Sequence, residues 1–281
     1  MTGTRDDLVV ASDLSIDYPP SSRHGRFTAV RGVSFRVARG ELFGIVGENG
    51  AGKSTVARMI AGRGGTDAAT TISGGALSVL GVDVRRLSER GRRRLSAQVG
   101  YLPQQAFRLL DRGRTVAENV AGPLFERDPH FDRRDAGRRA AELVDAVQLP
   151  WSTMVQYPHE LSEGQLQRVA IARSLILEPS LWVADEPTGG ADVPVKAPVL
   201  DTLLELQSER DFTALIVSHD AAVMSRLTDR VAVMHGGMIV GLGSLDDVLA
   251  RPTHPYVQGL RDDYLQRTAP ITLPTGADAA S

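Results

Sequence analysis

Gly47-Glu48-Asn49-Gly50-Ala51-Gly52-Lys53-Ser54-Thr55 fits the spacing G-x-x-x-x-G-K-[ST] of a phosphate-binding loop, and the rest of the chain is read outward from it. The apolar run Leu42–Val46 in front has the length and composition of a buried parallel strand, while Val56, Met59 and Ile60 behind recur at helical spacing. Strand, glycine-rich loop and helix therefore stand in the order such a loop requires. Gly47, Gly50 and Gly52 open backbone torsions closed to other residues, so successive N–H groups can turn inward around phosphate oxygens. The helix behind points its positive end at the same anions. Lys53, one of two lysines in the chain, would reach the β- and γ-phosphates as a point charge. Ser54 would give its hydroxyl to Mg²⁺, and Thr55 a backbone N–H near the α-phosphate. The stretch predicts a nucleoside triphosphate site.

Bulk properties narrow the setting. With 281 residues the chain has ample material for a buried core, and one α/β domain with a helical insert is expected. A net charge of −2 supplies no global basic field to draw it to nucleic acid or anionic lipid. No apolar run reaches eighteen residues and Met1–Asp7 is polar, which predicts neither a membrane span nor a signal peptide, hence a cytoplasmic chain. The absence of cysteine excludes disulfides, thiolate zinc sites and cysteine-ligated iron–sulfur clusters.

Leu8–Val10 and Leu14–Tyr18 read as edge strand, followed by a Pro-Pro-Ser-Ser loop. Tyr18 offers an aromatic face that would either stack on an adenine or pack half-buried. Val33, Phe35 and Val37 alternate with polar residues as in an antiparallel strand, and Ala76–Leu80 and Val99–Leu102 are strand-like. The arginines between 85 and 94, interleaved with Ser, Glu and Gly and lacking stacking aromatics, read as a solvated helix face rather than a nucleic-acid patch. Thr115 with Glu118, and Ser162 with Gln165, have the spacing of capping boxes at two helix starts. Between them Asp132–Leu149 is an amphipathic helix with Ala140, Leu143, Val144 and Val147 on one face. Leu181–Ala184 is an apolar strand carrying Asp185-Glu186 at its C-terminal end, where ligands bind in open α/β sheets. There the two carboxylates are either a capped turn or, as the phosphate loop upstream favours, a metal-and-base pair in which the first would bind Mg²⁺ directly or through water and the second orient or deprotonate a water. Thr213–Val217 is another buried strand, ending in Ser218-His219-Asp220, and His235-Gly236-Gly237 turns a β-hairpin. The tail from 268 to 281 is expected to be disordered.

The order of phosphate loop, Gln104, Leu161-Ser162-Glu163-Gly164-Gln165, the strand ending in Asp185-Glu186, Asp192 and His219 resembles the nucleotide-binding subunit of ABC (ATP-binding cassette) transporters, over roughly Leu8 to Leu260. The resemblance implies an α/β P-loop NTPase fold: a RecA-like core, an N-terminal antiparallel β-subdomain and a helical subdomain from about 115 to 175, within one domain spanning 1–267. It implies ATP and Mg²⁺ as ligands, with Tyr18, Gly47, Asn49, Gly50, Gly52, Lys53, Ser54 and Thr55 holding the nucleotide. Gln104 would touch Mg²⁺ and the attacking water, Glu186 would be the catalytic base, and His219 the γ-phosphate switch. Ser162, Gly164 and Gln165 would complete the site of an opposite subunit, a copy or a paralogue, with Asp192 crossing that interface. Two membrane permease subunits and an extracytoplasmic substrate-binding protein would be further partners, at the cytoplasmic face of the membrane.

His254-Pro255-Tyr256, in the segment from Arg251 to Leu260, is similar to the peptide and nickel importer group; physically it reads as a Pro-broken turn with an anchoring tyrosine. An exporter ATPase, or a soluble ABC-type protein acting on ribosomes or DNA, is the alternative. Three departures stand out: Glu163 replaces a usual glycine, Gly189-Gly190-Ala191 precedes Asp192, and Gln105-Ala106-Phe107 follows Gln104. They fit one half of a heterodimer with unequal sites.

Overall fold

The computed structural model describes residues 6–20, 25–64, 70–188, 199–205, 213–228 and 230–268. Two sheets share the strands. A four-stranded antiparallel sheet has the order β2 (Phe27–Ala38), β1 (Asp7–Tyr18), β4 (Thr71–Val79), β5 (Val82–Asp83). A six-stranded sheet runs β10 (Met238–Gly243), β9 (Arg230–His235), β3 (Leu42–Gly47), β8 (Ala214–Ser218), β7 (Leu181–Asp185), β6 (Val99–Leu102). All neighbours in the second sheet are parallel except β9 and β10. Of the expected tail, Thr268 is the last residue of a helix and the rest, like Asp192 and the Gly189–Ala191 loop, lies outside the described residues.

Parallel sheets need cover on both faces, and β3 shows how this is met. Its residues are all buried. Phe43 and Ile45 face the antiparallel sheet and α1 (Lys53–Ile60), while Leu42 and Val46 join Trp182, Ile216 and the helices of the other side. On that side α3 (Val116–Arg127), α4 (Arg133–Ala146) and α5 (Glu163–Leu175) pack on one another. Both expected capping boxes form, at Thr115/Glu118 and Ser162/Gln165. Arg173 of α5 reaches α3, donating to the Asn119 carbonyl at 2.6 Å and pairing with Glu126 at 2.9 Å. The arginine-rich stretch forms a 3-10 turn and α2 (Glu89–Ser96), whose arginines are exposed or half-buried, as a solvated face requires.

Three expectations need correction. Residues Leu8–Val10 and Leu14–Tyr18 are not edge strand: they are one interior strand, paired with β2 on one side and β4 on the other. The polar interruption is a register shift, with Asp13 at φ 49°. The His254-Pro255-Tyr256 turn is the start of a helix, Pro255–Thr268, with proline at the first position, where its missing N–H costs nothing. Gly47 is not needed for its torsions, since it is absent from the positive-φ residues; a Cβ there would lie 2.1 Å from the Met234 carbonyl oxygen on β9. Gly50 (φ 83°) and Gly52 (φ 98°) do require the left-handed region.

Candidate functional site

The strand order brings the chemistry together. β3, β8 and β7 end side by side, so the phosphate loop, Ser218-His219 and Asp185-Glu186 meet at one sheet edge although they are far apart in the chain. A cleft of about 620 Å³ opens there, lined by Tyr18, Asn49, Gly50, Gly52, Lys53, Ser54, Thr55, Gln104 and Glu186 among others.

Lys53, Asp185 and Glu186 are each less than 7% exposed, three buried charges in one place. Lys53 Nζ donates to the carbonyls of Gly47 (2.8 Å) and Glu48 (2.9 Å), which hold the ammonium. Burial pushes its pKa down, against the carboxylates of Glu186, Asp185 and Glu48, which raise it. Burial also pushes the Asp185 carboxyl up; the hydrogen bond from Ser54 Oγ (3.0 Å) lowers it, Glu186 raises it, and Arg58 and Lys53 lower it. Glu186 sits at φ 56°, a strained conformation for a side chain of its size, held by its N–H to the Val217 carbonyl at 2.9 Å. Its Oε1 lies 2.9 Å from His219 Nδ1, and its Oε2 accepts from Ser218 Oγ at 3.3 Å.

The Ser54 hydroxyl and the Asp185 carboxylate it touches are hard oxygen ligands that suit magnesium, Gln104 lines the same cleft, and a cation would relieve the cost of burying the Asp185 charge. Asp185→Asn should therefore unfold at a higher temperature than wild type without nucleotide, and gain less from Mg²⁺ with nucleotide. Because the folded pKa is raised, protonation favours the fold, so the variant's advantage should be full above that raised pKa and vanish as pH falls below the ordinary carboxylate value. Thermal unfolding across pH checks both; a variant no more stable than wild type at neutral pH counts against the burial argument.

Tyr18 is half-buried, its hydroxyl sharing a hydrogen bond with Thr55 Oγ1 (3.0 Å) and accepting from Arg58 Nη2 (2.8 Å). Arg58, Phe27 and Ala29 also line the cleft and are not among the residues expected from sequence. Arg58 was accessible to helical spacing, four residues beyond Ser54, whose carbonyl accepts from its Nε at 3.3 Å. Phe27 was not, because it reaches the site by pairing with Tyr18 across β1 and β2. Ser162, Gly164 and Gln165 do not line the cleft. They form the start of α5, where Ser162 Oγ accepts from Gln165 N–H (3.3 Å) and Gln165 Oε1 from Ser162 N–H (2.9 Å).

A buried lysine and paired carboxylates at the strand ends of a parallel sheet, fronted by a glycine-rich loop, define a P-loop nucleoside triphosphatase. The profile of the ABC transporter family matches residues 30–189. The oligopeptide transport ATP-binding protein OppF of Salmonella typhimurium is 37% identical over 254 residues, covering 88% of this chain and 74% of that protein. OppF of Lactococcus lactis is 35% identical, covering 90% and 79%. A dimeric ATP-binding cassette, MJ0796, solved in a post-hydrolysis state bound to ADP and Pi, superposes with a TM-score of 0.73 at 25% identity, covering 84% of this chain and 98% of that one. The chain belongs to the ABC transporter family, as an ATP-binding cassette.

Proposed function

We propose that this cassette hydrolyses ATP to power an importer of peptides, or of nickel and other metal chelates, from the cytoplasmic face of a membrane. The observation that carries it is the buried Glu186 carboxylate, bridging His219 and Ser218 at the mouth of the phosphate loop. Lys53 and the loop N–H groups would stabilise charge on the transferring phosphoryl oxygens, and Tyr18 with Phe27 would contact the base. Glu186 would accept the proton of the attacking water through a lone pair left over beside its contacts with His219 and Ser218, which hold the carboxylate in place. Magnesium, held by Ser54, Asp185 and Gln104, would supply neutralising charge. ATP would sit between this loop and the capped start of α5 of a second cassette, with Ser162, Gly164 and Gln165 donating from that side and Asp192 at the seam. Loss of the γ-phosphate removes those charge-assisted contacts and lets the pair reopen. The cassette is read as one unit over 1–267, with its helical part at about 115–175.

Among the described residues no helix is long and apolar enough to cross a membrane. In this reading force passes through docked permease subunits. Three exposed apolar side chains support where. Leu109 (67% exposed) lies just beyond Gln104, and Trp151 (69%) and Val155 (74%) lie on a second 3-10 turn. Residues just past each turn are tied to the first turn of α3: Asn119 Oδ1 accepts from Asp111 N–H at 2.7 Å, and Val116 N–H donates to the Gln156 carbonyl at 2.9 Å. The expected result is co-purification with two integral membrane subunits and ATPase activity stimulated by a peptide-loaded extracytoplasmic binding protein. Leu109→Ala with Trp151→Ala should keep basal ATPase and lose that stimulation. Recovery with ribosomes or DNA, and no membrane subunit, would overturn the reading.

A further inference from the structure

Four side chains from three separate parts of the chain meet behind the phosphate loop. Glu48 belongs to the loop itself, His235 ends β9, and His254 and Tyr256 flank Pro255 at the start of the C-terminal helix. Strand register makes the first meeting unavoidable: Val46 pairs with Val233 and Gly47 with Met234, so Glu48 emerges next to His235. His235 Nδ1 stands 2.8 Å from Glu48 Oε1 without an aligned hydrogen bond, so proximity rather than a directed bond defines the contact. The face of the same imidazole stacks on Tyr256, centroids 4.8 Å apart and planes at 22°, and His254 lies tilted against it at 5.3 Å. His254 Nδ1 accepts from the Tyr256 backbone N–H at 3.1 Å, which fixes the turn as the helix begins.

Tyr256 also reaches the Glu48 peptide. Burial, then the Glu48 and Asp263 carboxylates, push its hydroxyl pKa up, while the Glu48 backbone hydrogen bond pulls it down. The Glu48 carbonyl, in turn, is one of the two acceptors of Lys53 Nζ. Glu48 is thus approached at its carboxylate by His235, on which Tyr256 stacks, and held at its carbonyl by the ammonium that must meet the phosphates.

We propose that His254–Tyr256 is a positioning device for the phosphate loop: Tyr256, stacked on His235, holds Glu48 in the conformation from which Lys53 and the loop amides receive nucleotide. This rests on the reading of the cleft as an ATP site. It gives the His-Pro-Tyr segment, physically a bare turn in the sequence, a task at the site. None of the four side chains touches the groups assigned to water or magnesium. A loosened loop therefore lowers the fraction of molecules competent to bind and weakens apparent affinity in proportion, while the chemical step, once nucleotide is seated, proceeds as before.

The test uses the full chain, ADP titrated calorimetrically with Mg²⁺ present, and steady-state ATP turnover. Tyr256→Ala should weaken ADP binding and raise KM by about tenfold, with kcat within about twofold of wild type. Tyr256→Phe, which keeps the stacked ring and loses the hydroxyl, should fall between the two. Leu265→Ala, on an exposed position of the same helix, should match wild type and separate loop positioning from general damage to the helix. If Tyr256→Ala fails to fold, His235→Ala, which removes the ring on which Tyr256 stacks, carries the same comparison. Unchanged affinity in a folded variant, or a fall in kcat at unchanged affinity, overturns the proposal while leaving the ATP site intact. A wild-type chain that binds no nucleotide overturns both.

Discussion

Glu186→Gln should bind ATP as tightly as wild type and turn it over about a thousandfold more slowly, within the span that general-base catalysis supplies. The substitution keeps the shape of the side chain, and an amide oxygen can still accept from Ser218 Oγ. What it loses is the ability to take a proton from water. With hydrolysis stalled, the γ-phosphate stays between the two cassettes, so the variant should elute as a dimer with ATP and as a monomer with ADP. Steady-state turnover and size-exclusion chromatography read the two halves separately. Ordinary turnover removes Glu186 from the role of base, and a monomer carrying bound ATP removes the sandwich.

Lys53→Ala should cost more than about a hundredfold in nucleotide affinity, since charge-assisted hydrogen bonds are worth roughly 1.5–3 kcal/mol each and the ammonium would make more than one to the phosphates. The loss has a second source. Asp185 and Glu186 are buried beside Lys53, and its charge is among those that offset theirs. Without it, two buried carboxylates face an incoming polyanion. Titration calorimetry with ADP and ATP, alongside circular dichroism to show a retained fold, measures the effect. Affinity within about tenfold of wild type would mean that the loop amides and helix end, not the lysine, dominate phosphate binding.

Local features were legible in the sequence because their causes are local. The strand, glycine-rich loop and helix from Leu42 to Ile60 follow from periodicity and glycine placement. The caps at Thr115 and Ser162 are readable because donor and acceptor are three residues apart. Asp185-Glu186 and Ser218-His219 were recognisable as the ends of apolar runs.

Tertiary structure alone decided what depends on strand order and register. That Ser54 meets Asp185 across 131 residues follows from β3, β8 and β7 lying adjacent, which no spacing in the chain encodes. The interior place of β1, the arrival of Phe27 beside Tyr18 and the carbonyl of Met234 that leaves room only for a glycine at 47 are likewise products of pairing between distant segments. The C-terminal turn is the sharpest case: its residues spell a generic break, and only the parallel register of β3 with β9 sets Glu48 against His235, on which Tyr256 stacks. Short-range preferences act through backbone torsions and neighbouring side chains, whereas a site assembled at a sheet edge exists only once the strands have chosen their partners.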